Sequence, residues 1–180
     1  MTSLTEFLAD IGEVTRTYST EQVTEGLWFL AGESDLFCDL YDTSVPENLR
    51  VRCAATIVQL YNQVFGPRCQ NALSNGDNGA SVKNRLNSIC YMWWDVFPTR
   101  GRPHDPDART LDEVLLGVMR SALSGKNVAC VESALHGRGH WQSSYPGEVE
   151  NIVRGFLRGQ RRIGAPLRDY ADAARRGMVQ

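Results

Sequence analysis

Hydrophobic positions recur every three or four residues along most of this chain. Leu49, Cys53, Ile57, Leu60, Tyr61 and Val64 make one stripe, and Leu86, Ile89, Cys90, Trp93 and Phe97 a second. Leu111, Val114, Leu115, Val118, Met119 and Ala122 make a third, and Val149, Ile152, Val153, Phe156 and Leu157 a fourth. This spacing gathers the apolar side chains on one face of a helix. No segment of useful length alternates apolar with polar, so no strand is predicted. The pattern predicts helices over 3–11, 19–31, 46–65, 81–97, 110–123, 127–137, 146–159 and 166–176.

The helix starts carry their own signals. Ser or Thr followed three residues later by Glu or Gln can satisfy orphan N–H groups in both directions. That pair occurs at Ser3/Glu6, Ser19/Gln22, Ser44/Glu47 and Thr110/Glu113. Pro46, Pro146 and Pro166 stand where a first turn needs no amide proton. Between the helices, the Asn- and Gly-rich stretch 66–80 and the Pro- and Asp-rich stretch 98–108 are the candidate functional loops.

The expected fold is therefore all-α, one domain over 1–180, with helices in short antiparallel pairs. Start signals near Thr110 and Tyr145 are 35 residues apart, the spacing of two-helix repeats. The segments LDEVLLGVMRSALSGKNVACVESALHGRGHW and GEVENIVRGFLRG resemble the helix pairs of HEAT-like and armadillo-like repeat proteins. YMWWDVFP, then VESALHGRGHW, then FLRG is also similar to a pattern in uncharacterised bacterial all-helical proteins, over roughly residues 45 to 160. The resemblance implies a short HEAT-like α-solenoid or a compact multi-helix bundle, and carries no activity.

Composition narrows the function classes. A hydrophobic fraction of 42% and a charged fraction of 22% over 180 residues suit a globular domain with a real core. No apolar run approaches a membrane span, and the acidic start MTSLTEFLADIGE is unlike a signal peptide, so a cytoplasmic protein is expected. Five scattered cysteines without a Cys-x-x-Cys pair read as free thiols, mostly buried. The alternative is a disulfide near Cys38 or Cys69.

The formal net charge of −2 hides an asymmetry. Residues 1–47 hold ten acids against Arg16 alone, and residues 151–180 hold seven arginines against Asp169 and Asp172. An acidic end suits a basic protein partner, and an arginine end could touch phosphate. Nucleic acid is disfavoured, because the pI is about 5.9 and aromatic and basic residues do not interleave.

One motif invites chemistry. HGRGHW, residues 136–141, holds two of the three histidines. With Glu132 they fall at i, i+4 and i+8, on one face of a continuous helix, and a carboxylate with two imidazoles suits zinc or a non-haem metal. The preferred reading is structural: Gly137 ends the helix, His136 sits in its last turn against Glu132, and Trp141 plugs the joint. A solvent-accessible cavity holding Glu132, His136 and His140 would favour the site, whereas a His136 buried on Trp141 would favour the joint.

Trp93 and Trp94 are adjacent, so one of them is expected at a seam or groove. Trp94 and Trp28, with the acids Asp35, Asp39 and Asp42, are the partner-binding candidates. His104-Asp105-Pro106-Asp107 reads as a turn. The Asn-Gly-Asp-Asn-Gly run at 75–79 lacks the acidic ligand that a calcium loop needs. With no phosphate loop and no nucleophile elbow at Ser143 or Ser144, no cofactor is expected. The leading expectation is an interaction module, of adaptor or immunity type, that presents a groove and an acidic face to a protein. The alternative is a metal-binding protein or enzyme built on Glu132, His136 and His140.

Overall fold

A computed structural model describes residues 1–33, 35–74, 82–98, 100–159 and 163–179, with the side chains of Glu33, Asp35 and Leu36 outside that description. Every regular element among these residues is helical. The chain runs through α1 (Thr2–Ala9), α2 (Ile11–Val14) and α3 (Thr20–Trp28), which widens into a π-turn at Phe29–Glu33. A 3-10 segment, Asp35–Tyr41, leads to α4 (Glu47–Leu60), a second wide turn at Tyr61–Phe65, and α5 (Gly66–Arg68). Then come α6 (Leu86–Val96), α7 (Arg109–Leu123), α8 (Val128–Trp141), α9 (Pro146–Gly159) and α10 (Ala165–Ala174).

The helices pack compactly and do not stack as a solenoid. In a solenoid each pair touches only its neighbours. Here α1 lies on α4, α4 on α7 and α3 on α6, so elements distant in the chain share one core. Helix α8 is the hub: it packs on α6, α7, α9 and α10.

That position explains the composition of α8. From Ala129 to Gly139 every residue is buried, so the helix has no solvent face and no amphipathic stripe. Its small residues let the neighbours approach. A methyl group added at Gly137 would meet Trp94 Cγ at 2.5 Å, and one at Gly139 would collide with Val179. The glycines therefore serve packing, and the helix continues through them to Trp141. Propensity predicted a stop at Gly137, and burial on all sides overrides it. Trp141 still acts as a plug, fully buried with Nε1–H donating to Pro98 O at 2.9 Å.

Both tryptophans of α6 are fully buried, because α6 has protein on two sides. Trp93 meets Phe37 edge-on at 5.6 Å, and Trp94 stacks with Tyr61 and covers Gly137. Trp94 therefore cannot anchor a partner.

Of the four predicted capping boxes, Ser19/Gln22 forms in both directions. Ser3 and Thr110 lie inside their helices, and Ser44 N–H is taken by Asp42 Oδ1 at 2.8 Å.

The loops are held by polar side chains, Asn87 and Asp112 buried and Asn127 half-buried. Asn127 Nδ2 donates to Gly66 O and Cys69 O, both at 3.0 Å, and Asn87 pairs with the backbone of Gln70. The loop after α6 is pinned by Asp112, which is fully buried. It accepts from Tyr41 Oη and Tyr145 Oη, each at 2.8 Å, and from Arg102 N–H at 2.5 Å. Asp105 Oδ1 accepts from Asp107 N–H at 3.0 Å, which makes the His104–Asp107 stretch a turn. All five cysteines are free, with Cys38 exposed and the other four buried. The Asn-Gly-Asp-Asn-Gly run at 75–79 lies outside the described residues.

Candidate metal centre

Two helices build the site, each with a pair of residues one turn apart. Helix α6 supplies Tyr91 and Asp95, and α8 supplies His136 and His140. Because α6 and α8 pack along their length, these pairs face each other. His136 Nε2 lies 2.8 Å from Asp95 Oδ2, and His140 Nε2 lies 2.5 Å from Asp95 Oδ1. The two Nε2 atoms are 3.1 Å apart. Among the described residues, these are the histidines and carboxylate whose ligand atoms gather at one place, within 4.8 Å of one another.

This separation suits a metal. Two nitrogens each ~2.1 Å from a common ion, as in zinc sites, subtend roughly 95° when 3.1 Å apart, between the octahedral and tetrahedral angles. The donor set of two imidazoles and one carboxylate is that of zinc and of non-haem iron. His136 is 1% exposed, while Asp95 and His140 are 22% and 25% exposed, so the cluster opens to solvent on one side.

The rear of the site is organised by tyrosines. His136 Nδ1 lies 2.5 Å from Tyr170 Oη on α10, and Tyr170 Oη lies 3.0 Å from Tyr91 Oη. The Tyr91 ring also packs on His136, with centroids 4.2 Å apart. Were His136 Nε2 to ligate a cation, its Nδ1–H would donate to Tyr170 Oη, and the Tyr170 hydroxyl would in turn donate a hydrogen bond to Tyr91 Oη. When no cation is present, both Nε2–H groups donate to Asp95 and Tyr170 donates to Nδ1. The two states differ in the tautomer of His136. Burial lowers the pKa of His136, against a raising effect from Asp95 and with a further lowering from His140, which favours the neutral ring that a metal needs.

Sequence reasoning singled out two of the three side chains of this cluster, His136 and His140. Glu132 is the correction. It is fully buried one turn before His136, and its Oε2 accepts from Ser74 N–H at 2.6 Å. It ties down the chain after α5, and Asp95 takes its place in the cluster. Asp95 had a signal: with Tyr91 it stands at i, i+4 on α6. Tyr170 had none, because only the packing of α10 on α8 brings it in. His136 bonds Asp95 and Tyr170 rather than Glu132, and the helix does not stop at Gly137, so two particulars of the helix-joint reading of HGRGHW are corrected, while the buried Trp141 keeps its plugging role.

The other candidates do not join this site. Trp28 is half-buried against the core, Asp39 and Asp42 are exposed, and the side chain of Asp35 lies outside the described residues. The arginine end is partly neutralised, with Arg154 on Glu150 and Arg175 on Asp172 and Glu150. Arg161 and Arg162 lie outside the described residues. No helix of the described residues is long and apolar enough to cross a membrane. No family model, curated protein or solved structure matches the chain.

Proposed function

We propose that this protein binds one divalent transition-metal ion through Asp95, His136 and His140. The observation that carries the reading is the convergence of three ligand atoms from two helices, with the buried imidazole oriented from behind by Tyr170. Three protein ligands leave at least one coordination position open, as in catalytic rather than structural zinc sites. The open side faces solvent through Asp95 and His140. A bound ion would lower the pKa of a coordinated water or polarise an oxygen of a ligand.

Cobalt(II) tests this directly. One equivalent should give visible d–d bands whose intensity reports four- or five-coordination, and His140→Ala should abolish them. Glu132→Gln should retain them if it folds, because Glu132 lies outside the ligand set. Bands lost in Glu132→Gln but kept in Asp95→Ala would refute the assignment.

A second reading rests on a different surface. A cleft of about 370 Å³ among α1, α2 and α3 is lined by Phe7, Val14, Tyr18, Val23 and Leu27. Tyr18 is 54% exposed and Val14 43%, and Glu6, Asp10, Glu13, Glu21 and Glu25 on these helices are exposed. An apolar patch with an acidic rim suits a basic, amphipathic protein partner. A lysine-rich amphipathic peptide should bind with strong salt dependence, and Tyr18→Ser with Val14→Ser should abolish it. Binding that ignores both salt and the double variant would remove this reading.

A further inference from the structure

The two ends of the chain carry opposite charge and complementary shape. Helix α9 buries Val149 and Val153, while Ile152 and Phe156 on the same helix are only half-buried. With Leu123 of α7, these two line a cleft of about 560 Å³ between α7 and α9. Gly155 and Gly159 keep its wall low, since a methyl group added at either would meet nothing within 4 Å. Arg120 lines the cleft, and among the described residues no carboxylate does. Arg158 is exposed and flanks the lining face of α9, three residues from Gly155 and one from Gly159.

The face formed by α1, α2 and α3 is the converse. Val14 and Tyr18 project from it among the exposed carboxylates Glu6, Asp10, Glu13 and Glu21. Such a face suits a basic, amphipathic helix, and the second half of α9 is one, with Ile152 and Phe156 beside Arg154 and Arg158. Within one chain the two surfaces do not cover each other. Helices α1, α2 and α3 pack on α4 and α6, and α9 packs on α8 and α10, which leaves both Tyr18 and the cleft open.

We infer that the α7–α9 cleft receives the α1–α3 face of a second copy of this chain, with Tyr18 entering against Ile152 and Phe156, so that copies join head to tail. This rests on the acidic-face reading above and names its partner. The acids of one copy meet Arg120 and Arg158 of the next, which orients the encounter, and the Tyr18 ring supplies the buried anchor. Two different surfaces meet, so a pair of copies still has one free surface at each end. The assembly therefore closes as a ring or grows as a chain instead of stopping at a symmetric dimer.

Sedimentation of the full chain tests this, under reducing conditions because Cys38 is exposed. At low salt the mass should rise above the monomer with concentration, and high salt should return it to the monomer. Tyr18→Ser with Val14→Ser removes the projecting side chains, and Gly155→Glu, at an open position, fills the cleft with a carboxylate. Each variant alone should be monomeric with unchanged far-UV circular dichroism. Mixed, they should form a one-to-one dimer and nothing larger, because a single intact contact remains between them. A wild-type chain that is monomeric at low salt, a variant that still associates alone, or a mixture that stays monomeric would overturn the inference. If the mixture stays monomeric while the lysine-rich peptide binds, the acidic-face reading stands and a second copy is excluded as its partner. If mixture and peptide both fail, both fall.

Discussion

At the scale of the residue, the glycines of this protein divide by what surrounds them. Gly137 faces Trp94 at a distance that no methyl group can share, whereas Gly117, in the middle of α7, has nothing within 4 Å. Gly137→Ala should therefore lower stability by ~1–3 kcal/mol, the cost of overpacking a dense core. Gly117→Ala should raise it by roughly 1 kcal/mol, through helix propensity alone. Urea denaturation of the two variants tests this, and equal effects of the same sign would show that the α6–α8 contact is loose. The same division explains why part of the site was legible in the sequence. His136 and His140 stand out by their spacing, but the glycines between them read as a helix stop, since a sequence does not show whether a glycine ends a helix or admits a neighbour. Asp95 sits just after two tryptophans, where attention goes to packing. Tyr170 belongs to a helix whose docking no local pattern announces.

At the scale of the element, helical periodicity located α4, α7, α9 and α10 to within a few residues, because each has one wet face and one dry face, and placed α6 with its start five residues early. It failed at the end of α8, which is dry all round and so has no stripe to follow. The loops were harder still. The stretch after α6 read as a candidate functional loop, yet Asp112 ties it to the core through Tyr41, Tyr145 and the Arg102 amide. Its signal was one acid among others at the start of α7, and nothing local showed that it is buried. Asp112→Ala should cost about 1–3 kcal/mol, because it leaves three part-buried donors without their common acceptor. Hydrogen exchange at the Arg102 amide should rise at the same time. Stability lost without faster exchange there would mean that the loop is held by something else.

At the scale of the molecule, buried phenols set the alkaline limit. Burial first, with Asp112 adding, raises the pKa of Tyr41, and burial raises that of Tyr61. A raised folded pKa means that the native state holds its proton when the unfolded chain releases it. The contribution is complete below about pH 10, the ordinary tyrosine value, and is lost as pH rises further. Arg138 acts with the opposite sign, because burial holds it down at about 9, but the phenols outnumber it. The buried thiols of Cys53 and Cys90, also raised by burial, act with the same sign as the phenols from a lower pH. Denaturation midpoints should therefore stay level to about pH 8.5 and then fall, with phenolate absorbance from Tyr41 and Tyr61 appearing only as the protein unfolds. Phenolate absorbance complete at pH 11 with the fold intact would show that these rings are open to water.

The compact, hub-centred packing has a functional consequence. The helix that organises the core also carries the two histidines, so the proposed centre stands on the most densely packed element of the fold, where its side chains are held in place. The most direct test is calorimetric titration of zinc into tag-free, metal-stripped protein, beside Asp95→Ala. The account predicts one site per chain, with affinity reduced at least a hundredfold in Asp95→Ala while the fold is kept. A wild-type chain that takes up no zinc, iron(II) or cobalt(II), or an Asp95→Ala variant that binds as well as the parent, would contradict it.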